Sequence, residues 1–225
     1  MRRGSLEELV ERQVRRWEMH QRVSDPPPSL SCVALSRLPH SGAAELAQTV
    51  AEKLDYGFFG IEIVDRIARE RGIDRALVAE LDERVRSTID RYVLDSFRQR
   101  RFTESEYLRS VVRTVVTIGE RGMAVILGRG APFVLGPDKA LRVLVVAPVE
   151  WRVEKLAKRQ GLSVAEATRR LEREDQQRCD FVAQFGVDPN DPALYDLVVN
   201  THSLGHDAAA TLVIDALRAV GGRSG

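Results

Sequence analysis

The segment Ser36–Gly42, SRLPHSG, stands between a short apolar run, Cys32–Leu35, and a helix-patterned stretch, Ala43–Leu54. In the order strand, tight loop, helix, backbone N–H groups and the positive end of a helix face one point, which is a ready anion site. The loop offers a guanidinium at Arg37, an imidazole at His40, a hydroxyl at Ser41 and a glycine at Gly42 that admits an oxyanion close to the backbone. The common phosphate loop, G-x-x-x-x-G-K-[ST], adds a lysine for the outer phosphates and a hydroxyl for magnesium. Aligned on Gly42, this chain has Arg37 at the first glycine, Ala43 at the lysine and Ala44 at the hydroxyl, and Pro39 removes one donor. An anion site and an unliganded turn both fit this segment taken alone.

Two further groups carry chemistry. Gly128-Arg129-Gly130 follows the apolar run Ala124–Leu127 at once, and its flanking glycines allow a tight turn that presents a guanidinium suited to bidentate phosphate contact. Arg173, Asp175 and Arg178 lie in a charged helical stretch, Ser163–Asp180. They converge over a phosphate if that stretch folds as a lid; on spacing alone, they equally suit a solvated helix face. His20, His40, His202 and His206 are scattered and predict no metal site.

The elements that must position these residues follow from periodicity. Ala43–Leu54 repeats apolar residues at three and four, as an amphipathic helix does. Short apolar runs at Cys32–Leu35, Gly57–Gly60, Ala124–Leu127, Leu141–Ala147 and Tyr195–Asn200 are separated by helical stretches, which predicts a parallel sheet buried on both faces. The helices are expected at Ile61–Arg71, Asp74–Arg100, Glu104–Arg121, Val149–Arg159, Ser163–Asp180 and His206–Ala219. In such a sheet ligands bind outside the carboxyl ends of the strands, where the loop, the Gly-Arg-Gly turn and Asn200-Thr201 all fall. A separate amphipathic helix is expected within residues 1–24, with Ser5 and Glu8 in a capping-box pattern, and a proline-rich linker over 25–30 joins it to a domain spanning 31–221.

Composition sets outer bounds. With 225 residues, 44% hydrophobic and 30% charged, the chain suits one α/β domain with a small appendage. A net charge of +1 gives no pull toward a nucleic-acid polymer or a membrane. Two distant cysteines and no apolar leader or spanning run predict a cytoplasmic protein with reduced thiols. The amino-terminal helix and the long helical pair within Asp74–Arg121 predict a homodimer surface.

The motifs taken together resemble a known family. ALSR…SG..ELA..VAEKL, AVILGRGAPFVL, LRVLVVAP.E.R with GLS..EA after it, R.EREDQQR..F and DP..YDLVVNT are similar, in that order, to the cytidylate kinase-like family of P-loop kinase relatives. The resemblance runs from about Val33 to about Ala219. It implies a three-layer α/β P-loop fold with helical monophosphate-binding and lid insertions, the lid at about 169–192. It also implies phosphoryl transfer from a nucleoside triphosphate, with ATP and Mg2+, to a monophosphate, expected to be a pyrimidine nucleotide. By position, Arg37, His40, Ser41 and Gly42 bind the donor phosphates; Arg129, Arg173 and Arg178 contact the transferring and acceptor phosphates; Asp175 orients the lid arginines. Family members carry a G-S-G-G-R-E type loop where this chain has His40-Ser41-Gly42-Ala43-Ala44-Glu45. They carry Tyr-Asp-Lys/Arg-Glu where it has Phe59-Gly60-Ile61-Glu62. A domain that binds a nucleotide or a protein partner without turnover is therefore the alternative expectation.

Overall fold

The computed structural model describes residues 30–69, 81, 83–99 and 105–221. The expected amino-terminal helix, and the linker up to Ser29, lie outside these residues. In chain order the elements are β1 (Cys32–Arg37), α1 (Ala43–Leu54), β2 (Gly57–Phe59), α2 (Ile61–Arg69), α3 (Glu83–Arg98), α4 (Glu106–Arg121), β3 (Ala124–Leu127), α5 (Ala131–Leu135), β4 (Ala140–Val146), α6 (Val149–Gln160), α7 (Val164–Ala183), a 3-10 turn (Pro192–Leu194), β5 (Leu197–Asn200) and α8 (Thr201–Gly221).

The five strands are all parallel, in the order β2-β3-β1-β4-β5. Alternate side chains of β1 explain the layering. Cys32 and Ala34 enter a core with α2, α4 and α5, while Val33 and Leu35 enter a second core with α1 and α8. A strand that must be apolar on both faces appears in sequence as an unbroken apolar run, which is why all five strands were recognisable. A third, smaller cluster of Val153, Leu156, Ala167 and Leu171 zips α6 to α7.

Local chemistry sets the boundaries. Ser163 and Glu166 form a reciprocal capping box that starts α7, and Ser105 accepts a hydrogen bond from the Leu108 N–H at the start of α4. Most boundaries fall within three residues of expectation, and three of the shifts have a clear local cause. β1 runs two residues further, through Arg37, because Ser36 and Arg37 keep pairing with Leu144 and Val145 of β4. β5 starts at Leu197, because Tyr195 closes the 3-10 turn by donating to the Pro192 carbonyl. α8 starts at Thr201 rather than His206: Gly205, at φ 71 and ψ 171, breaks the helix after one turn, and that break hid the turn from periodicity.

Candidate functional site

Two clefts open at the carboxyl ends of the strands. One, of about 470 Å³, is lined by the loop residues Arg37 and Pro39–Glu45 together with Gly60–Ile63, Lys155, Arg159 and Glu174. The other, of about 360 Å³, is lined by Ser36, Arg37, Gly128, Arg129, Gly130, Arg178 and Phe181 among others. Arg37, Pro39, Ile61 and Glu174 belong to both, so the clefts adjoin.

In the first cleft the loop turns through two left-handed residues, His40 at φ 60 and Gly42 at φ 78. Gly42 heads α1 without a side-chain cap. Its carbonyl accepts from the Leu46 N–H, and the Ser41 N–H is used within the loop by the Leu38 carbonyl. The N–H groups of His40, Gly42, Ala43, Ala44 and Glu45 meet no acceptor among the described residues. They are joined by the Ser41 hydroxyl, whose residue is 1% exposed and whose Oγ has no hydrogen-bond partner. Unmade hydrogen bonds at a helix start, in a cleft, are the physical signature of an anion site. A Cβ on Gly42 would lie 2.6 Å from His206 Nε2 and 3.2 Å from Lys155 Nζ, so no other residue fits there without displacing them.

The second cleft collects guanidinium groups. Gly128, Arg129 and Gly130 are successive left-handed residues, at φ 81, 52 and 71. The turn is wedged: Cβ atoms on Gly128 and Gly130 would strike Ile61 and Phe185 at 2.8 and 2.2 Å. Arg129 donates from Nε and Nη2 to the two carboxylate oxygens of Asp65, which also accepts from the Tyr107 hydroxyl at 2.7 Å. Its guanidinium lies 5.0 Å from the centre of the Phe181 ring. Burial pushes the Asp65 carboxyl up, but the bonds from Arg129 and Tyr107 and the Arg129 charge outweigh it and hold the group below the usual carboxylate range. Arg178 donates to Asn190 Oδ1, Ser36 Oγ and the Pro189 carbonyl. The Arg37 side chain has no hydrogen-bond partner among the described residues. Burial first, then repulsion by Arg129 and Arg178, pulls its guanidinium below its ordinary value, with Glu174 opposing. It stays protonated at neutral pH.

The helix α7 ties the clefts together. Glu174 accepts from Arg170 at 3.0 Å and meets His40 Nε2 at 2.7 Å. Burial raises its carboxyl, and these bonds and charges more than reverse the effect. Arg178 of the three lid residues enters the second cleft. Arg173 is exposed and without a polar partner among the described residues. Asp175 is taken by Arg152, at 2.8 and 3.1 Å, and not by Arg173 or Arg178. Sequence reasoning missed Asp65, Arg152, Lys155 and Glu174, and placed Thr201 only at a strand end where ligands bind, with no role for its side chain. A signal existed for two of them: Arg152, Lys155 and Arg159 recur at helical spacing on α6. None existed for Asp65, whose role depends on a contact 64 residues away.

With this geometry in view, similarity decides the family. The family described as cytidylate kinase-like matches residues 32–203. The chain belongs to that family. It is 32% identical over 198 residues to a cytidylate kinase from Methanopyrus kandleri, covering 82% of this chain and 92% of the relative. It is 30% identical over 195 residues to a cytidylate kinase from Pyrococcus horikoshii, covering 84% and 91%. A solved structure of an uncharacterised protein from Eubacterium ventriosum shares the fold, with a TM-score of 0.58 at 15% identity, covering 85% of this chain and 99% of that one. The cytidylate kinase-like match thus spans β1 to the start of α8, and both clefts lie inside it. Among the described residues no helix is long and apolar enough to cross a membrane.

Proposed function

We propose that the protein transfers the γ-phosphoryl group of a nucleoside triphosphate to a nucleoside monophosphate, with a pyrimidine nucleotide as acceptor. The observation that carries this is the junction of two anion sites. Five residues whose peptide N–H groups meet no acceptor among the described residues line one cleft, three arginines line the next, and Arg37 lines both. Phosphoryl transfer needs in-line positioning and charge neutralisation more than a base, and adjoining sites of this kind supply both.

In this reading the loop from His40 to Glu45 takes the donor phosphates. Lys155 and Arg159 bring cationic side chains to that cleft from α6, where Ala43 lacks one. Arg129, held by Asp65, offers the unpartnered Nη1 edge of its fork to the acceptor phosphate. Arg178 and Arg37 flank the transferring group. The lid spans about 169–192, from within α7 onward, and Glu174 and Asp175 connect it to the donor side. Its closure keeps out water, the competing acceptor.

Magnesium, implied by the family, fits as a cation carried in on the triphosphate. Among the described residues no cluster of three or more His, Cys, Asp or Glu side chains could hold a metal, and Ala44 supplies no hydroxyl. Ser41 Oγ, buried and without a hydrogen-bond partner among the described residues, is the protein oxygen that would meet it. When bound, the ion would supply neutralisation of the phosphate charge.

The test is transfer itself: purified protein with MgATP and a panel of monophosphates, followed by phosphorus NMR. Formation of a diphosphate, fastest with a pyrimidine acceptor, is expected. Ala43 and Ala44 favour one second reading, a nucleotide-binding domain without turnover. It predicts ligand-induced thermal stabilisation and no product. No product together with no stabilisation sinks both.

A further inference from the structure

Two buried side chains outside the clefts contact the anion loop, and both do so through backbone carbonyls. Thr201, 3% exposed at the start of α8, brings its Oγ1 to the Ser41 carbonyl, with the Val146 carbonyl further off at 3.3 Å. Arg152, 5% exposed on α6, donates Nη1 to the Pro39 carbonyl at 3.2 Å, and its Nη1 and Nη2 engage Asp175. Neither residue lines the first cleft.

A peptide unit is planar and trans, so its C=O and N–H point in opposite directions. Fixing the Ser41 carbonyl on Thr201 therefore turns the Gly42 N–H the other way, toward the cleft that Gly42 lines. Fixing the Pro39 carbonyl on Arg152 does the same for the His40 N–H. These are two of the N–H groups without an acceptor. The backbone between them has little preference of its own for this arrangement. His40 is a non-glycine at φ 60, and such residues persist only where their surroundings over-determine them. Were either peptide to rotate, a carbonyl oxygen would face the anion in place of a donor.

We propose that Thr201 and Arg152 are positioning residues of the anion loop: by holding the Ser41 and Pro39 carbonyls they aim the Gly42 and His40 N–H groups at bound phosphate. The binding half of this rests on the function proposed above; the peptide-holding half does not. The division of labour in the Asn200-Thr201 pair follows. Asn200 Oδ1 accepts from the His202 and Ser203 N–H groups and caps the first turn of α8, which places Thr201 under the loop. On the other side, Asp175 on α7 orients the Arg152 fork, so the lid helix supports one of the two peptides.

Isotope-labelled wild-type protein, Thr201→Val, Thr201→Ser and Arg152→Lys are compared by amide NMR and by calorimetric titration with sodium tripolyphosphate. Thr201→Val keeps the side-chain shape and removes the donor. It is expected to move the Gly42 amide resonance and to weaken tripolyphosphate binding by roughly tenfold, the worth of one well-placed hydrogen bond. Thr201→Ser should restore both. Arg152→Lys loses the fork that meets Pro39 and Asp175 together, and should move the His40 amide. A valine variant with the wild-type Gly42 resonance and wild-type affinity overturns the proposal. If wild-type protein binds no tripolyphosphate, the functional reading fails, and the amide resonances alone decide whether the peptides are held. If Thr201→Val does not fold, Thr201→Cys, which retains a weak donor, should give an intermediate Gly42 shift, and an unshifted resonance counts against the proposal.

Discussion

Replacing Arg129 separates a phosphate-binding arginine from a merely structural one. Its guanidinium has five N–H donors. Asp65 engages it at Nε and Nη2, and the Nη1 edge stays without a partner among the described residues. Arg129→Ala therefore removes two things, an ion pair and a free donor edge. Asp65→Asn removes only the charge of the pair and leaves the arginine. The side chains of the pair are 23% and 19% exposed, so losing it destabilises the fold by about 1–3 kcal/mol, less than a fully buried pair. At this chain length, each kcal/mol moves the melting temperature by about 2–4 °C. Losing a charge-assisted contact to phosphate costs about 3 kcal/mol, a factor of roughly 10² in transfer rate. The two variants should thus melt alike, while Arg129→Ala loses far more monophosphate affinity and turnover than Asp65→Asn. Thermal melts, calorimetry with a pyrimidine monophosphate and single-turnover transfer measure the three quantities. Equal losses of affinity in both variants, or none in either, refute the assignment of Arg129 to the acceptor phosphate.

Gly130 is left-handed, at φ 71 and ψ 10, and a Cβ there meets Phe185 at 2.2 Å, whereas Gly136, at φ 67 and ψ −177, holds a backbone region essentially confined to glycine but a Cβ there meets nothing within 4 Å. Urea unfolding should show Gly136→Ala costing about 1–3 kcal/mol of backbone strain alone, and Gly130→Ala about 1–2 kcal/mol of strain plus about 1–3 kcal/mol of overpacking. The carboxyls of Asp65, Glu174 and Asp196 all lie below their unfolded values, so the unfolded chain takes up protons first as pH falls. Stability should therefore drop between about pH 5 and about pH 3, with a shallower slope in Asp65→Asn, as melting temperature against pH will show. Arg37→Met keeps the apolar stem and removes a repelled charge; it should raise the melting temperature while weakening triphosphate binding.

How much of this was legible in the chain depended on the range of the forces involved. Strands buried on both faces and helices with one apolar stripe leave local patterns, and α1 and β3 were bounded to the residue. The Gly-Arg-Gly turn was legible because only glycine relieves a left-handed backbone wedged against Ile61 and Phe185. Partner choice was not legible. Asp175 stands within three residues of both Arg173 and Arg178, yet it pairs with Arg152, which the α6–α7 packing brings to it. The anion loop was legible only as a departure. Its donors are peptide groups, and these carry no residue signature; what aims them is a threonine 160 residues from the carbonyl it holds.

The position of Arg37 shows what the fold gives up for its charge pattern. A guanidinium at the end of a central strand, partly buried and repelled by two others, with only the Glu174 charge in its favour, opposes folding. Packing offers no reason to keep it there, since an uncharged side chain with the same stem fills the space. The repulsion is relieved only when an anion enters between the arginines, and the relief adds to the binding energy of that anion. A dianionic phosphate gains more from it than a monoanion, and a neutral sugar gains nothing. On the proposed function the arginines would select for charge at the second cleft, as the peptide N–H groups would at the first, and Glu174, which lines both clefts and is bound to His40, is the acidic group between them.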